Sequence, residues 1–114
     1  MKVLFTVRRV YYEQIVAGTK TCEVRRQTPR WDTVAKHLAR DALEGIDSQA
    51  VFICGRLPVH RRIITATHRC NTPEAALGRS PSEQGRKDVG TGPVIVFELG
   101  RETDKNQPEG RPGP

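Results

Sequence analysis

Tyr11-Tyr12-Glu13-Gln14-Ile15-Val16-Ala17-Gly18-Thr19-Lys20-Thr21-Cys22-Glu23-Val24-Arg25-Arg26 is the stretch whose reading decides the fold of this chain. Tyr11 and Ile15, and likewise Tyr12 and Val16, stand four apart, so each pair shares a helix face. Gly18 sits where a glycine in the left-handed region ends a helix. From Thr21 the residues favour extended chain, with Thr21 and Val24 marking a strand. Side chains alternate along a strand, so Glu23 and Arg25 point to the same side, with Lys20 at the turn just before them. An ammonium, a carboxylate and a guanidinium together can clamp a phosphate or polarise a carbonyl, with Glu23 taking or giving a proton. The plainer reading of the same three residues is a surface ion-pair cluster of little energetic weight.

The run Ile15-x-x-Gly18-x-Lys20-Thr21-x-Glu23-x-Arg25 resembles the signature of the ASCH domain, a small barrel similar to the PUA domains of RNA-modifying proteins. Members of that family begin with a strand and a short helix ahead of this run, and Met1 to Arg26 follows the same order. Beyond Arg26 the likeness rests on strand order. The resemblance implies an α+β fold, a small PUA-like β-barrel with two to three short helices, whose lysine and its neighbours line a cleft between barrel and helices. It implies RNA or a modified nucleoside as partner. Some ASCH proteins resemble ribonucleases acting on single-stranded RNA, and others are amidohydrolases that deacetylate N4-acetylcytidine. The amidohydrolase type uses a lysine and a threonine from a G-x-K-T-x-T-x-R run plus a distant glutamate. Lys20 matches, while Glu23 stands where that threonine would be, which counts against the amidohydrolase reading. Glu74 and Glu98 are the downstream glutamates near ordered elements, and neither is matched to the distant one. Lys20 and Glu23 are thus the catalytic candidates, and no cofactor is implied.

Working outward, Lys2 to Val7 alternates as a first strand and Arg9 to Ala17 supplies the helix. Gln27-Thr28-Pro29 breaks the second strand. Trp31 to Leu43 reads as a helix capped by Asp32 or Thr33, an added cover over the site. Ala50 to Cys54 is a continuous apolar run, as expected of a strand buried on both faces. Val59 to His68 is the next strand, antiparallel to it. Asn71 or Thr72 caps a short helix with Pro73 at its first position and Gly78 at its end. Arg79 to Gly92 is rich in Ser, Gly, Pro and charge and reads as a mobile loop. Pro93 to Leu99 is the last strand and is expected to close the barrel. Residues 1–99 form one domain on this reading, and 100–114 form a disordered tail with no large apolar residue to bury.

The chain is 114 residues long, enough for one modest core. Aromatic residues are few (Phe5, Tyr11, Tyr12, Trp31, Phe52 and Phe97), so Val, Ile and Leu are expected to dominate the core. No run approaches the roughly 18 apolar residues of a membrane span, and Met1 to Arg9 turns basic too soon for a secretory signal. A cytoplasmic protein is expected. Cys22, Cys54 and Cys70 are odd in number and lack a C-x-x-C pair, which argues against a disulfide framework or a zinc ribbon. Neither a phosphate-cradling glycine loop nor a nucleophile elbow is present, so nucleotide-driven and serine-hydrolase chemistry are disfavoured.

The formal net charge is +6. From Gly100 onward Arg101, Lys105 and Arg111 cancel Glu102, Asp104 and Glu109, so the folded part holds the excess. Arginine outnumbers lysine, which suits bidentate phosphate contacts, or simply reflects a GC-rich genome. Arg56, His60, Arg61, Arg62, His68 and Arg69 flank one hairpin and are candidates for nucleic-acid binding, with the histidines as possible acids or bases. Trp31 is a candidate stacking platform for an unpaired base, and Tyr12 another. Arg8, Arg25 and Arg26 complete the ligand-binding candidates, with Tyr11 at the same rim. An RNA or nucleoside binder, a hydrolase on the same site and a protein-interaction module remain the three readings.

Overall fold

The computed structural model describes residues 1–103 of the chain. The elements run β1 (Lys2–Thr6), α1 (Arg9–Ala17), β2 (Cys22–Arg26), α2 (Pro29–Leu43), β3 (Ser48–Ile53), β4 (His60–Cys70), α3 (Pro73–Leu77), α4 (Glu83–Val89) and β5 (Val94–Glu102). The strands form one mixed sheet in the order β1-β3-β4-β5-β2, with β1 parallel to β3 and every other pairing antiparallel. β1 and β2 are therefore the two edges. The sheet curls into a half-barrel that brings these edges towards each other, and the Arg25 guanidinium on β2 donates to the Thr6 carbonyl on β1 at 3.0 Å.

The inner face of the half-barrel is aromatic at its centre. Phe5 stacks on Trp31 with ring centroids 5.3 Å apart, and Phe52 and Phe97 pack at 5.4 and 5.1 Å from Phe5. Few as they are, the aromatic residues sit where the curled strands converge, and Val, Ile and Leu surround them. Burying each such ring contributes about 1.5–3 kcal/mol. β3 is buried along nearly its whole length, as its continuous apolar run requires. On the outer face Val24, Val94 and Val96 form a second cluster, covered by Ala76 and Leu77 of α3 and by Val89 at the end of α4.

Several expectations change. α2 begins two residues earlier than its apolar stripe suggests: Thr28 caps it by accepting from the Trp31 amide at 3.2 Å, and Pro29 follows in the first turn. It packs Trp31, Ala35 and Leu38 against the inner face, so it is part of the core and not a cover over the site. The stretch expected as a mobile loop contains α4, whose N-cap Ser82 accepts from the Gly85 amide at 3.1 Å. Its polar composition hid it because so short a helix turns only Val89 to the apolar cluster. β5 is an inner strand between β4 and β2 and does not close the barrel. It also continues through Glu102, taking Gly100, Arg101 and Glu102 into the sheet. Close approach explains Gly100, where a Cβ would fall 2.6 Å from the Thr65 side chain. The remainder of the expected tail, 104–114, lies outside the described residues.

Candidate ligand-binding site

The turn from α1 to β2 fixes Lys20. Gly18 takes φ +80°, which a side chain would strain, and its amide caps the helix end. The amides of Thr19 and Lys20 then both donate to the Gln14 carbonyl, at 3.0 and 3.1 Å, and the Thr19 hydroxyl joins them at 3.2 Å. From this held backbone the Lys20 ammonium donates to the Cys22 carbonyl at 2.7 Å. It also stands 3.8 Å from Glu23 Oε2 and 5.5 Å from the centre of the Tyr11 ring.

Strand alternation does the rest. Glu23 opposes Phe97 and Arg25 opposes Ile95, so both turn to the inner side of β2, and Arg25 Nε lies 3.3 Å from Glu23 Oε1. The Arg25 guanidinium is layered over Phe5 and Trp31, 5.2 and 5.5 Å from the ring centres. Glu23 is only 6% exposed. Burial pushes its carboxyl pKa up, against the opposing pull of Lys20 and Arg25. Among the described residues, Glu23 Oε2 and Arg25 Nε are both buried without a hydrogen-bond partner.

These groups open onto a cavity of about 910 Å³ between α1, the edge of β2 and the α3–α4 segment. Arg8, Tyr11, Gln14, Arg79, Ser82, Asp88 and Glu98 share its lining with Lys20, Glu23 and Arg25. β2 presents its unladdered edge here. The Thr21 carbonyl accepts from Leu99 and the Gln27 amide donates to Pro93, so the alternate peptide groups of Cys22 and Val24 turn away from β5. A latch closes the far wall, where Arg8 grips Asp88 through Nε and a terminal nitrogen, the latter at 2.8 Å. This pairing holds the Asp88 carboxyl below the usual carboxylate range.

The other residues singled out by sequence are dispersed. Trp31 is 9% exposed and lies inside the aromatic core, so it supports Arg25 and offers no face to a base. Tyr12 donates its hydroxyl to the Pro58 carbonyl at 2.6 Å, away from the cavity. Arg26 donates to the carbonyls of Lys87 and Asp88 at the C-terminal end of α4, a structural clasp where a cation is favoured.

The basic hairpin does not make one face, because its strand turns alternate residues to opposite sides. Arg62 turns inward to donate to the carbonyls of Gly100 and Ile15. His60 is buried beside Glu102, and desolvation lowers its pKa. Arg69 pairs with Asp32 at 3.1 Å, and His68 with Glu98 at 3.0 Å. Arg56 and Arg61 stay at the surface end of the β3–β4 hairpin, and none of the six lines the cavity.

Glu98, Asp88, Gln14 and Cys22 line the cavity without having been singled out by the sequence as site residues. The signal for Glu98 is faint: alternation along β5 sets it on the face of Val94 and Val96, opposite Ile95 and Phe97. Its place beside Cys22 follows from the register of two strands distant in sequence. Among the described residues no group of three or more His, Cys, Asp or Glu is placed to hold a metal ion, and no helix is long and apolar enough to cross a membrane.

No family model and no curated protein matches the chain. Among solved structures, it is similar to the crystal structure of a serine-to-alanine mutant of ZmASCH from Zymomonas mobilis. The two are 19% identical with a TM-score of 0.60, over 88% of this chain and 68% of that one. The fold is ASCH-like. In this ASCH-like half-barrel the Lys20, Glu23 and Arg25 groups meet at the mouth of the β1–β2 gap, with α1 on one side and α3–α4 on the other.

Proposed function

We propose that this ASCH-like domain binds a nucleoside or a short stretch of RNA by taking one base into the cavity beside Lys20, Glu23 and Arg25. The observation that carries the reading is the buried Glu23 Oε2, which has no hydrogen-bond partner among the described residues and sits in the wall of a cavity with ample room for a nucleoside. A buried polar atom without a partner is costly, so a ligand donor that reaches it gains more than it would in water. The peptide edge of Val24 offers a donor and an acceptor on the same wall, the pattern that the edge of a base complements. Lys20 adds a positive charge suited to a carbonyl or phosphate oxygen.

The test is a titration of the protein with nucleosides, their monophosphates and fluorescein-labelled single-stranded RNA at low salt. Lys20→Ala is expected to weaken binding by about tenfold or more, as for the loss of one charge-assisted hydrogen bond. No binding by any of these, or equal binding by the variant, overturns the reading.

The 3.8 Å approach of Lys20 Nζ to Glu23 Oε2 supports a second reading, an acid–base pair hydrolysing an acylated base or RNA at the same place. Incubation with N4-acetylcytidine and with RNA oligonucleotides tests it. Turnover is expected to vanish in Lys20→Ala, and an absence of products from the unaltered protein rejects it.

A further inference from the structure

On the outer face of the sheet, three side chains of different chemistry fall into line. His68 and Cys70 are two apart on β4 and so share a face, and the register sets them opposite Val96 and Val94 of β5. Glu98 is the next residue of β5 on that same face. His68 Nε2 lies 3.0 Å from Glu98 Oε1, and Cys70 Sγ lies 3.9 Å from His68 Nδ1. With Nε2–H donating to the carboxylate, Nδ1 is the nitrogen left to accept a proton from the thiol. A nucleophile, a base in reach of it and a third group orienting that base are the parts that activate cysteine elsewhere in protein chemistry. His68 and Glu98 are half-exposed, so a reagent reaches them from solvent.

We propose that Cys70, His68 and Glu98 form a thiol-activating relay on the outer face of the sheet, which shares Glu98 with the cavity wall and takes a soft carbon electrophile. In the step, sulfur bonds to the electrophilic carbon as the leaving group departs with the bonding electron pair. The thiol proton passes to His68 Nδ1, and Glu98 stabilises the imidazolium through Nε2–H. Cys70 packs against the outer valine cluster that Ala76 and Leu77 also cover, and both of those line the ligand cavity. An adduct on Cys70 therefore bears on the α3 wall of that cavity.

Cys22 and Cys54 provide internal controls, since all three cysteines are free and of intermediate burial. Cys22 is disfavoured as a thiolate by burial. The full chain is treated with limiting iodoacetamide and the occupancy of each cysteine is followed by peptide mass spectrometry. Cys70 is expected to be alkylated at least about fivefold faster than Cys54. His68→Gln and Glu98→Gln are each expected to slow Cys70 severalfold while leaving the Cys54 rate unchanged. Cys70 reacting no faster than Cys54 in the unaltered chain overturns the proposal, as does a Cys70 rate indifferent to both substitutions.

Discussion

Glu23 is held in a place that resists its charge, and that has consequences for stability. Its folded pKa lies above the unfolded value, so its contribution to stability is full below about pH 4.3 and is lost as pH rises through the raised value. Glu23→Gln is therefore expected to raise the melting temperature at pH 7.5 and to give no gain near pH 4. Thermal unfolding followed by circular dichroism at the two pH values checks this, and a loss of stability at pH 7.5 counts against it. His60 behaves in the opposite sense. Burial is the main cause of its lowered pKa, helped by Arg62 and opposed by Glu102, so its contribution is present above about pH 6.5 and is lost as pH falls through the lowered value. Urea unfolding at pH 7.5 and 5 is expected to show an acid-side loss that shrinks in His60→Gln. The two trends oppose each other over part of the acid range, so each is read in its own variant.

The unit α1–Gly18–β2 was legible at the level of the element because everything that defines it is local. The four-residue spacing, the glycine stop and the strand alternation lie within sixteen consecutive residues, and they place Lys20, Glu23 and Arg25 without reference to the rest of the chain. α4 was not legible, because what holds it is distant. Asp88 is gripped by Arg8, eighty residues earlier, and its last carbonyls are held by Arg26. Asp88→Asn is expected to loosen that helix, so that amide hydrogen exchange quickens across 83–89 while the β3 and β4 amides keep their protection. Trp31 misled for a related reason. At the start of the expected helix it looks free to stack on an unpaired base, and only the stack with Phe5 of a separate strand makes it core. The same first turn supplies a direct measure of capping: Thr28→Ala is expected to lower unfolding stability by about 1 kcal/mol, read by denaturant titration.

At the scale of the whole molecule, the net charge of +6 suggested a broad electrostatic footprint for RNA. The folded arrangement distributes that charge among structural duties: Arg62 ties α1 to β5, Arg26 clasps α4, and Arg8, Arg69 and Arg86 are paired with Asp88, Asp32 and Glu74. Lys20, Arg25 and Arg79 remain at the cavity, the first two beside Glu23. The affinity for single-stranded RNA is therefore expected to fall only gently with salt, with a log–log slope of about −1 to −2. Anisotropy titrations across a salt series check this, and a slope several times steeper assigns binding to the outer surface instead.

The first and second strands, neighbours in the chain, border the sheet at its two opposite ends. Among the described residues β1 pairs only with β3, and β2 only with β5, which runs to Glu102. During synthesis, then, the motif emerges from the ribosome long before it has any ladder to join. The strand that carries the glutamate and the arginine takes its place in the sheet only once the final strand has docked. Fragments truncated ahead of Val94 lack every ladder partner of β2 and are accordingly expected to bind no ligand at this site.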